Sequence, residues 1–422
     1  MGDIIDKDQT SSSAQLADQS ADSAAVEVAT AAAVPRPTIG QLLSTELSFV
    51  PVLLTLVVIM IFFAVSTNGV FLEARNLSNL VQQIAVIGVV GLGVILVLLL
   101  GEIDLSVASV STFCAVVMGI LTERLGAPGG FAIIAALLTG ALVGFINGIF
   151  IAVLRVPSFI VTLAASIGYA GLLLYLLGFQ STLIVRDPLI VSIAGSATSF
   201  LPDYLGIGLP TLALLLYVGW LIIHRLRRRR AGLRTVPILQ LVGQIAIAVV
   251  LVEGAVTLFE SYNGVPNSTA ILFGLIVLLW LVATRTSFGR HIYAVGGNAE
   301  AARRAGINVV GIRLVAFTLC SMIAALGGVL AASRGLAVES QINPTLLLQA
   351  IAAAVIGGVS LFGGRGTVWA IVLGALIIGS LENGLDLKSQ GTDVKQMVEG
   401  VVLLAAVTID ALVRRFQARS GR

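Results

Sequence analysis

Charge is what this chain has least of: only 11% of its 422 residues are Asp, Glu, Lys or Arg, while 57% are hydrophobic. A water-soluble domain carries about 25% charged residues, so this chain lacks the means to face water on every side. Cysteine is almost missing too. Cys114 and Cys320 both fall within apolar segments, which excludes a disulfide-stapled fold and leaves them as small packing residues. Histidine is equally scarce: His224 and His291 lie far apart, each near arginines, and offer poor material for a metal site or a Ser/His/Asp arrangement. Of the three lysines, only Lys388 is followed by Ser or Thr, and Leu387 stands where a phosphate-binding loop needs Gly. The chain therefore does not hydrolyse ATP through such a loop. No nucleophile, base or metal ligands converge, so neither catalytic residues nor a directly bound cofactor or metal are expected. A membrane-embedded enzyme is disfavoured on the same ground.

What remains is apolar sequence of membrane-spanning length, about 17–25 residues at a time. Such runs fall near 49–65, 81–100, 106–121, 130–154, 158–179, 209–223, 236–258, 269–284, 312–332, 346–362, 367–381 and 397–413. They predict an all-α polytopic bundle of about 12 spans (10–12). The 45 glycines suit helices that approach closely in lipid. With the N-terminus inside, 19 of the 25 Lys and Arg fall on inward segments, the dense run from Arg225 to Arg234 among them. The outward six are Arg75, Arg124, Arg186, Arg334, Lys388 and Lys395. That bias places both termini in the cytoplasm. The Arg225–Arg234 cluster then fixes topology and meets anionic lipid headgroups, not nucleic acid.

The domain expectation follows. Residues 1–48 form an acidic, disordered cytoplasmic tail and pre-membrane segment, without the basic start and short apolar run of a cleavable signal. Residues 49–413 form the transmembrane domain, with a cytoplasmic loop at 285–311. Residues 414–422 form a basic cytoplasmic tail.

Several segments break the apolar pattern. Gly101-Glu-Ile-Asp-Leu-Ser106 sets two carboxylates into a long apolar stretch. It is either a tight inward turn with Asp104 capping the next helix, or a broken helix at membrane depth lining a polar cavity. Val156-Pro-Ser-Phe159 poses the same choice, with Pro157 able to open the next span. Glu253 lies near the outer end of its span and is read as snorkelling. Gly140–Gly148 echoes Gly374–Gly384, a similarity that a chain so rich in Gly, Ala and Leu produces by chance. Polar candidates for a path are Gln82, Gln83, Glu102, Asp104, Ser106, Asn147, Gln349 and Asn383. Amides and hydroxyls suit a neutral polyhydroxylated solute better than an inorganic ion, although amides also glue helices together.

The stretch from Arg285 to Ile307 is polar and punctuated. Gly296, Gly297 and Asn298 read as a turn, Asn298 as an N-cap, Glu300 as a first-turn anion and Gly306 as a C-terminal stop. These predict a helix of about two turns, too short to stand alone in water. It must pack on its own protein or dock in the groove of another.

Glu300-Ala-Ala-x-x-x-Gly306 resembles the cytoplasmic loop by which ABC-importer permeases dock on their ATPase subunits. The wider run Thr286-Ser-Phe-Gly-Arg-x-Ile-Tyr-Ala-Val-Gly-Gly-Asn-x-Glu-Ala-Ala-Arg-x-x-Gly-Ile-Asn308 is similar to that loop in the ribose, galactose and xylose permease family. Gly101–Val107, Val156–Leu163, Ala354–Leu361 and Glu382-Asn-Gly-Leu385 match the family in order, so that the resemblance covers about residues 49–413. Its length and the extra apolar material around 209–258 look most like the D-xylose branch. The acidic N-terminal tail and the arginine cluster depart from the pattern. The resemblance implies a monosaccharide permease subunit of the bacterial inner membrane. Its partners would be a second copy, an ATPase subunit that uses the ATP, and an extracytoplasmic sugar-binding protein. Gly297, Asn298, Glu300, Ala301, Ala302 and Gly306 would form the ATPase-coupling loop. An amino-acid permease of the wider ABC superfamily and an ion-coupled secondary transporter are the alternatives.

Overall fold

The computed structural model describes residues 50–419 apart from 179, 196–198, 234 and 236. The expected tail at 1–48 thus lies outside the described residues. The described chain is helical throughout except for one two-stranded sheet and the connecting loops. In order the helices are α1 (Val50–Ser66), α2 (Ala74–Leu99), α3 (Val107–Glu123), α4 (Gly129–Gly148), α5 (Ser158–Leu177) and α6 (Pro188–Ala194). Next come α7 (Asp203–Arg230), α8 (Ile238–Glu260), α9 (Asn267–Arg285), α10 (Ser287–Gly297) and α11 (Ala299–Arg304). The last four are α12 (Val309–Gly335), α13 (Pro344–Ile356), α14 (Ala370–Leu387) and α15 (Thr392–Arg419). Strands β1 (Thr182–Ile184) and β2 (Ala337–Glu339) pair antiparallel, Leu183 opposite Val338.

Eight of the described helices are long and apolar enough to cross a membrane, and three more are apolar but shorter. The chain is a polytopic helical membrane protein. Its core is α2, buried along almost its whole length, and α12, which packs on α2, α3 and α4. Helix α4 lies close against α12 because Gly140, Gly144 and Gly148 face it in turn. A side chain on Gly144 would overlap the Phe317 carbonyl, and one on Gly140 would meet Ser321 and Ala325. Dispersion contacts made by such close backbones replace the hydrophobic drive that lipid removes.

Contacts set the helix directions. Gly148 meets Leu314 near the start of α12, so α4 and α12 run antiparallel. Asn76 at the start of α2 donates to Asn383 near the end of α14 (2.9 Å), and Phe63 of α1 packs on Gly384. The molecule accordingly has a hairpin end, with β1, β2 and α6, and an opposite end carrying α10 and α11. All six residues expected to face outward lie at the hairpin end.

The structure corrects the sequence reading in four places. The run 346–362 is not one span: α13 stops at Ile356, and at 1.5 Å per residue its 13 residues cover about 20 Å, short of a 30 Å core. Gly358, Gly363, Gly364 and Gly366 then take positive φ, and the loop between α13 and α14 is partly buried, with Val359, Ser360, Gly363 and Val368 packed on protein and Phe362 and Trp369 exposed. Glu253 does not simply snorkel, since its carboxylate accepts a hydrogen bond from Thr211 of α7 (3.1 Å). Residues 287–297, read as a loop leading to a glycine turn, form α10. Finally α15 continues through Arg419, so the basic C-terminal segment begins as helix.

One expectation holds, and one open choice is decided. Cys114 and Cys320 are buried and unpaired. Pro157 immediately precedes α5, its carbonyl accepting the Ile160 N–H (3.1 Å), so of 156–159 only Val156 and Pro157 lie between helices and Ser158 opens the next one. The Gly140–Gly148 and Gly374–Gly384 segments lie on helices of opposite direction, and both use glycine for close packing.

Candidate coupling interface and polar path

Helices α10 and α11 are defined by side-chain caps. Thr286 accepts the Gly289 N–H (3.2 Å), Asn298 accepts the Ala301 N–H (2.9 Å), and Asn308 accepts the Gly311 N–H at the start of α12 (3.0 Å). Each satisfies an amide that a helix start leaves without a partner. Gly306 takes φ +85 and stops α11, with the Ile307 N–H returning to the Ala302 carbonyl (3.0 Å). Three of the four expected features of α11 are thereby present: cap, first-turn acid and glycine stop. The expected turn at Gly296, Gly297 and Asn298 is reduced to Asn298 alone, because α10 runs through both glycines. Helix α10 buries Ile292 and Val295, and α11 buries Ala302 at 4% exposure. Glu300 and Ala301 stay exposed. The Glu300 carboxylate pairs with Arg303 (3.2 Å) and Arg304 (3.3 Å) on its own helix.

Behind α11 three backbone segments converge. The Leu99 carbonyl accepts the Gly364 N–H (2.9 Å), Gly363 lies against Gly101, and Gly296 lies against both Leu99 and Gly364. A Cβ on Gly296 would overlap the Leu99 carbonyl. Tyr293 of α10 donates its hydroxyl to the Gly366 carbonyl (2.9 Å). Burial pushes the Tyr293 phenol above its ordinary value, so it remains a donor across the physiological range. The linked stability is intact below the usual tyrosine value of about 10 and is lost only in stronger alkali. Tyr293→Phe should therefore cost about 0.5–1.5 kcal/mol, read as a lower thermal-unfolding midpoint in detergent, with no change in its pH profile between pH 5 and 9. A midpoint equal to wild type would remove this bond from the junction. Sequence reasoning missed the contribution of 363–366, although Gly363-Gly-Arg-Gly366 between apolar runs signals a backbone contact.

The residues proposed for a polar path fall into separate groups. Glu102 pairs with Arg313 in the first turn of α12 (3.0 Å). Asp104, two residues on, already lies beside Cys320 (3.9 Å), about two helical turns deeper along α12. The chain thus turns at Gly101 and re-enters the bundle, so neither the plain turn nor the broken helix describes 101–106 alone. Asp104 is 3% exposed and accepts both the N–H (2.8 Å) and the hydroxyl (2.6 Å) of Ser106. It precedes the N-cap position, which Ser106 occupies without a side-chain cap bond. Asn147 donates to Ser106 (3.3 Å) and accepts from Tyr169 (3.2 Å), while Thr162 accepts the Leu105 N–H (3.0 Å). This network joins α3, α4 and α5 and encloses Asp104.

Asp104→Asn keeps one oxygen for Ser106 and should leave uptake near wild type. Asp104→Leu strands both Ser106 donors, and each buried unsatisfied group costs about 1–3 kcal/mol. The check is uptake alongside thermal unfolding. An inactive but stable Asp104→Asn protein would instead give Asp104 a direct part in transport.

A second group lies toward the hairpin end. Gln349 donates to Glu382 (3.2 Å) and to Glu399 (2.7 Å), and Gln83 also hydrogen-bonds Glu382. Four helices meet there. Asn383 bonds Asn76 next to it. Glu382 and Glu399 were not among the expected path residues, although an ionisable residue inside a span is itself the signal. Gln82 lies apart from both groups, on the wall of a cavity of about 420 Å³ at the hairpin end.

A family model described as the permease component of a branched-chain amino acid transport system matches residues 76–407. The chain belongs to this permease family. The permease is 38% identical to the xylose transport system permease protein of Escherichia coli (strain K12) over 372 residues, 88% of this chain and 94% of that one. It is 32% identical to the fructose import permease protein of Rhizobium meliloti, over 87% of this chain and 86% of the relative. It is 30% identical to the ribose import permease protein of Escherichia coli (strain K12), over 84% and 91%. No solved structure matches it. As an ABC permease it is a multi-pass bacterial membrane protein that moves solute without catalysing a reaction itself, and it works with ATPase and binding-protein partners. The matched region of the permease runs from the start of α2 into α15, and so contains α10, α11 and the glycine junction.

Proposed function

We propose that this permease is the membrane subunit of an ATP-driven monosaccharide importer in the bacterial inner membrane, with D-xylose or a related sugar as its solute. What carries the sugar assignment is the alignment over 94% of a xylose permease, supported by fructose and ribose permeases at similar coverage. The α11 end is cytoplasmic, in keeping with the Lys/Arg bias. Eleven helices, all but α6, α10, α11 and α13, then cross in alternation, and α13 together with the loop that follows it completes a twelfth crossing, with both termini inside. An ATPase subunit docks on the exposed face of α11 and hydrolyses the ATP, while a binding protein delivers sugar at the hairpin end. A second permease copy completes the path.

In this reading ATP-driven closure of the ATPase pair moves α11. The glycine junction and the Glu102–Arg313 pair pass that displacement to α2, α12 and the re-entrant 101–106 segment, and the bundle alternates between outward and inward access. Reconstitution with the ATPase and binding protein tests the assignment, reading ATP hydrolysis stimulated by pentoses and hexoses. Stimulation by D-xylose or a close relative is expected. Stimulation by branched-chain amino acids alone would transfer the function to the amino-acid alternative.

One observation favours a second reading. Glu382 and Glu399 are carboxylates inside the bundle, as an ion-coupled carrier requires. That carrier would stop when a protonophore collapses the gradient while ATP stays high. We expect uptake to continue.

A further inference from the structure

Four polar residues of α2 share one face at the hairpin end: Arg75, Ser78, Asn79 and Gln82, spaced three and four apart as one helical stripe requires. Opposite them the chain is shaped by backbone pairing. The Leu201 N–H bonds the Val265 carbonyl (2.8 Å) and the Asn267 N–H bonds the Ser199 carbonyl (2.9 Å), which holds Phe200 beside the turn that ends α8. That turn presents Tyr262 and Asn263. The Phe200 and Tyr262 rings meet edge to face, centroids 6.4 Å apart. Ala194 and Gly195 complete the lining, Gly195 lying close against the Ser333 carbonyl. Together these residues line an open cleft of about 420 Å³, within the range of small-molecule sites, about 300–1,000 Å³.

The polar lining is unpaired. The Arg75, Asn79, Gln82 and Asn263 side chains make no hydrogen bond to another described residue. The Ser78 hydroxyl is fully buried with no partner among the described residues. A buried hydroxyl without a partner costs free energy that a ligand recovers. Among the described residues no carboxylate or histidine lines the space, which argues against a metal ion, and a single arginine is too little for a polyanion. Amides and a guanidinium are planar groups that donate to and accept from neighbouring hydroxyls, and the aromatic pair gives an apolar wall to the C–H face of a ring.

We infer that this cavity is a reception site for a neutral monosaccharide, in which Gln82, Asn79 and Asn263 bond sugar hydroxyls, Ser78 supplies a buried hydroxyl, and Phe200 and Tyr262 pack on the ring. The inference rests on the sugar-import reading above and adds a site on the permease itself, separate from any site on the binding protein. It stands on the hairpin-end opening, where sugar arrives, and away from the Gln349–Glu382–Glu399 group.

The test uses the full-length permease in lipid nanodiscs without its partners, with saturation-transfer NMR on D-xylose, D-ribose and D-fructose, a method that detects weak binding. Wild type should transfer saturation to at least one sugar. The Gln82→Ala/Asn263→Ala double variant, whose positions lie at the cavity wall and not in the core, should fall to the protein-free level while eluting as wild type on size exclusion. Absence of transfer in wild type, or undiminished transfer in the double variant, overturns the site. The reconstituted importer separates the two failures. Sugar-stimulated ATP hydrolysis with no transfer to the isolated permease sinks this inference alone. No stimulation by any sugar together with no transfer sinks the sugar-import reading beneath it.

Discussion

Glu300→Lys is expected to leave the permease inserted and folded but to abolish ATP-driven uptake. The side chain is exposed, and its two partners, Arg303 and Arg304, lie on the same six-residue helix. Reversing its sign loses two surface pairs and puts a cation in the first turn of α11. These together cost at most about 1–2 kcal/mol, and only locally. Nothing in the core changes, so the thermal-unfolding midpoint should stay near wild type. The surface offered to the ATPase changes far more: a helix face carrying one acid and two bases becomes wholly basic. Pull-down of the ATPase should fall to background, and sugar should no longer stimulate ATP hydrolysis. Normal ATPase recovery with normal uptake would remove Glu300 from the docking surface. Gly306→Pro tests the same helix from its other end. Proline cannot adopt the φ of +85 that Gly306 takes, so the stop that seats α11 against α12 is lost.

Gly296→Val should give the complementary phenotype, ATPase docking retained and transport lost. Position 296 is half-buried behind α11, and a Cβ there collides with the Leu99 carbonyl and crowds the Gly364 amide. Both neighbours are backbone, so neither can rotate away, and forcing the contact costs about 1–3 kcal/mol. The junction must yield by moving α10 off the ends of α2 and the 360–366 loop, which uncouples α11 from the bundle. Uptake is expected to fall by at least about tenfold, the factor that 1.4 kcal/mol represents. Gly296→Ala should give a smaller loss in the same direction. Wild-type uptake by Gly296→Val would show that the junction does not transmit the stroke. The two variants, assayed side by side, separate binding of the ATPase from response to it.

Helix α11 was legible because its signals are local. Asn298 as N-cap, Glu300 in the first turn and Gly306 as stop are read within nine residues and need no knowledge of what packs behind. The same holds for the spans, whose length and apolarity lipid imposes directly. The glycine pair at 296–297 was misread because glycine serves two physical needs. It permits a turn by its φ freedom, and it permits close approach by lacking a Cβ. Sequence alone cannot say which; at Gly296 the second operates, while a Cβ on Gly297 would meet nothing. The polar candidates show the same limit. Glu102 and Asp104 are two residues apart, yet one faces Arg313 and the other is enclosed by Ser106 and Cys320.

By itself, then, the sequence determined that this is a helical membrane protein, where most of its spans lie, and that a capped helix stands between two spans. Each follows from solvent: lipid excludes charge and unpaired backbone whatever the fold around it. Only the tertiary structure decided that α13 ends midway, that 101–106 turns back into the bundle, and that Gly101, Gly296 and Gly364 meet in one junction. Those outcomes depend on which backbones come within van der Waals reach across more than two hundred residues of chain, and no local pattern encodes that proximity.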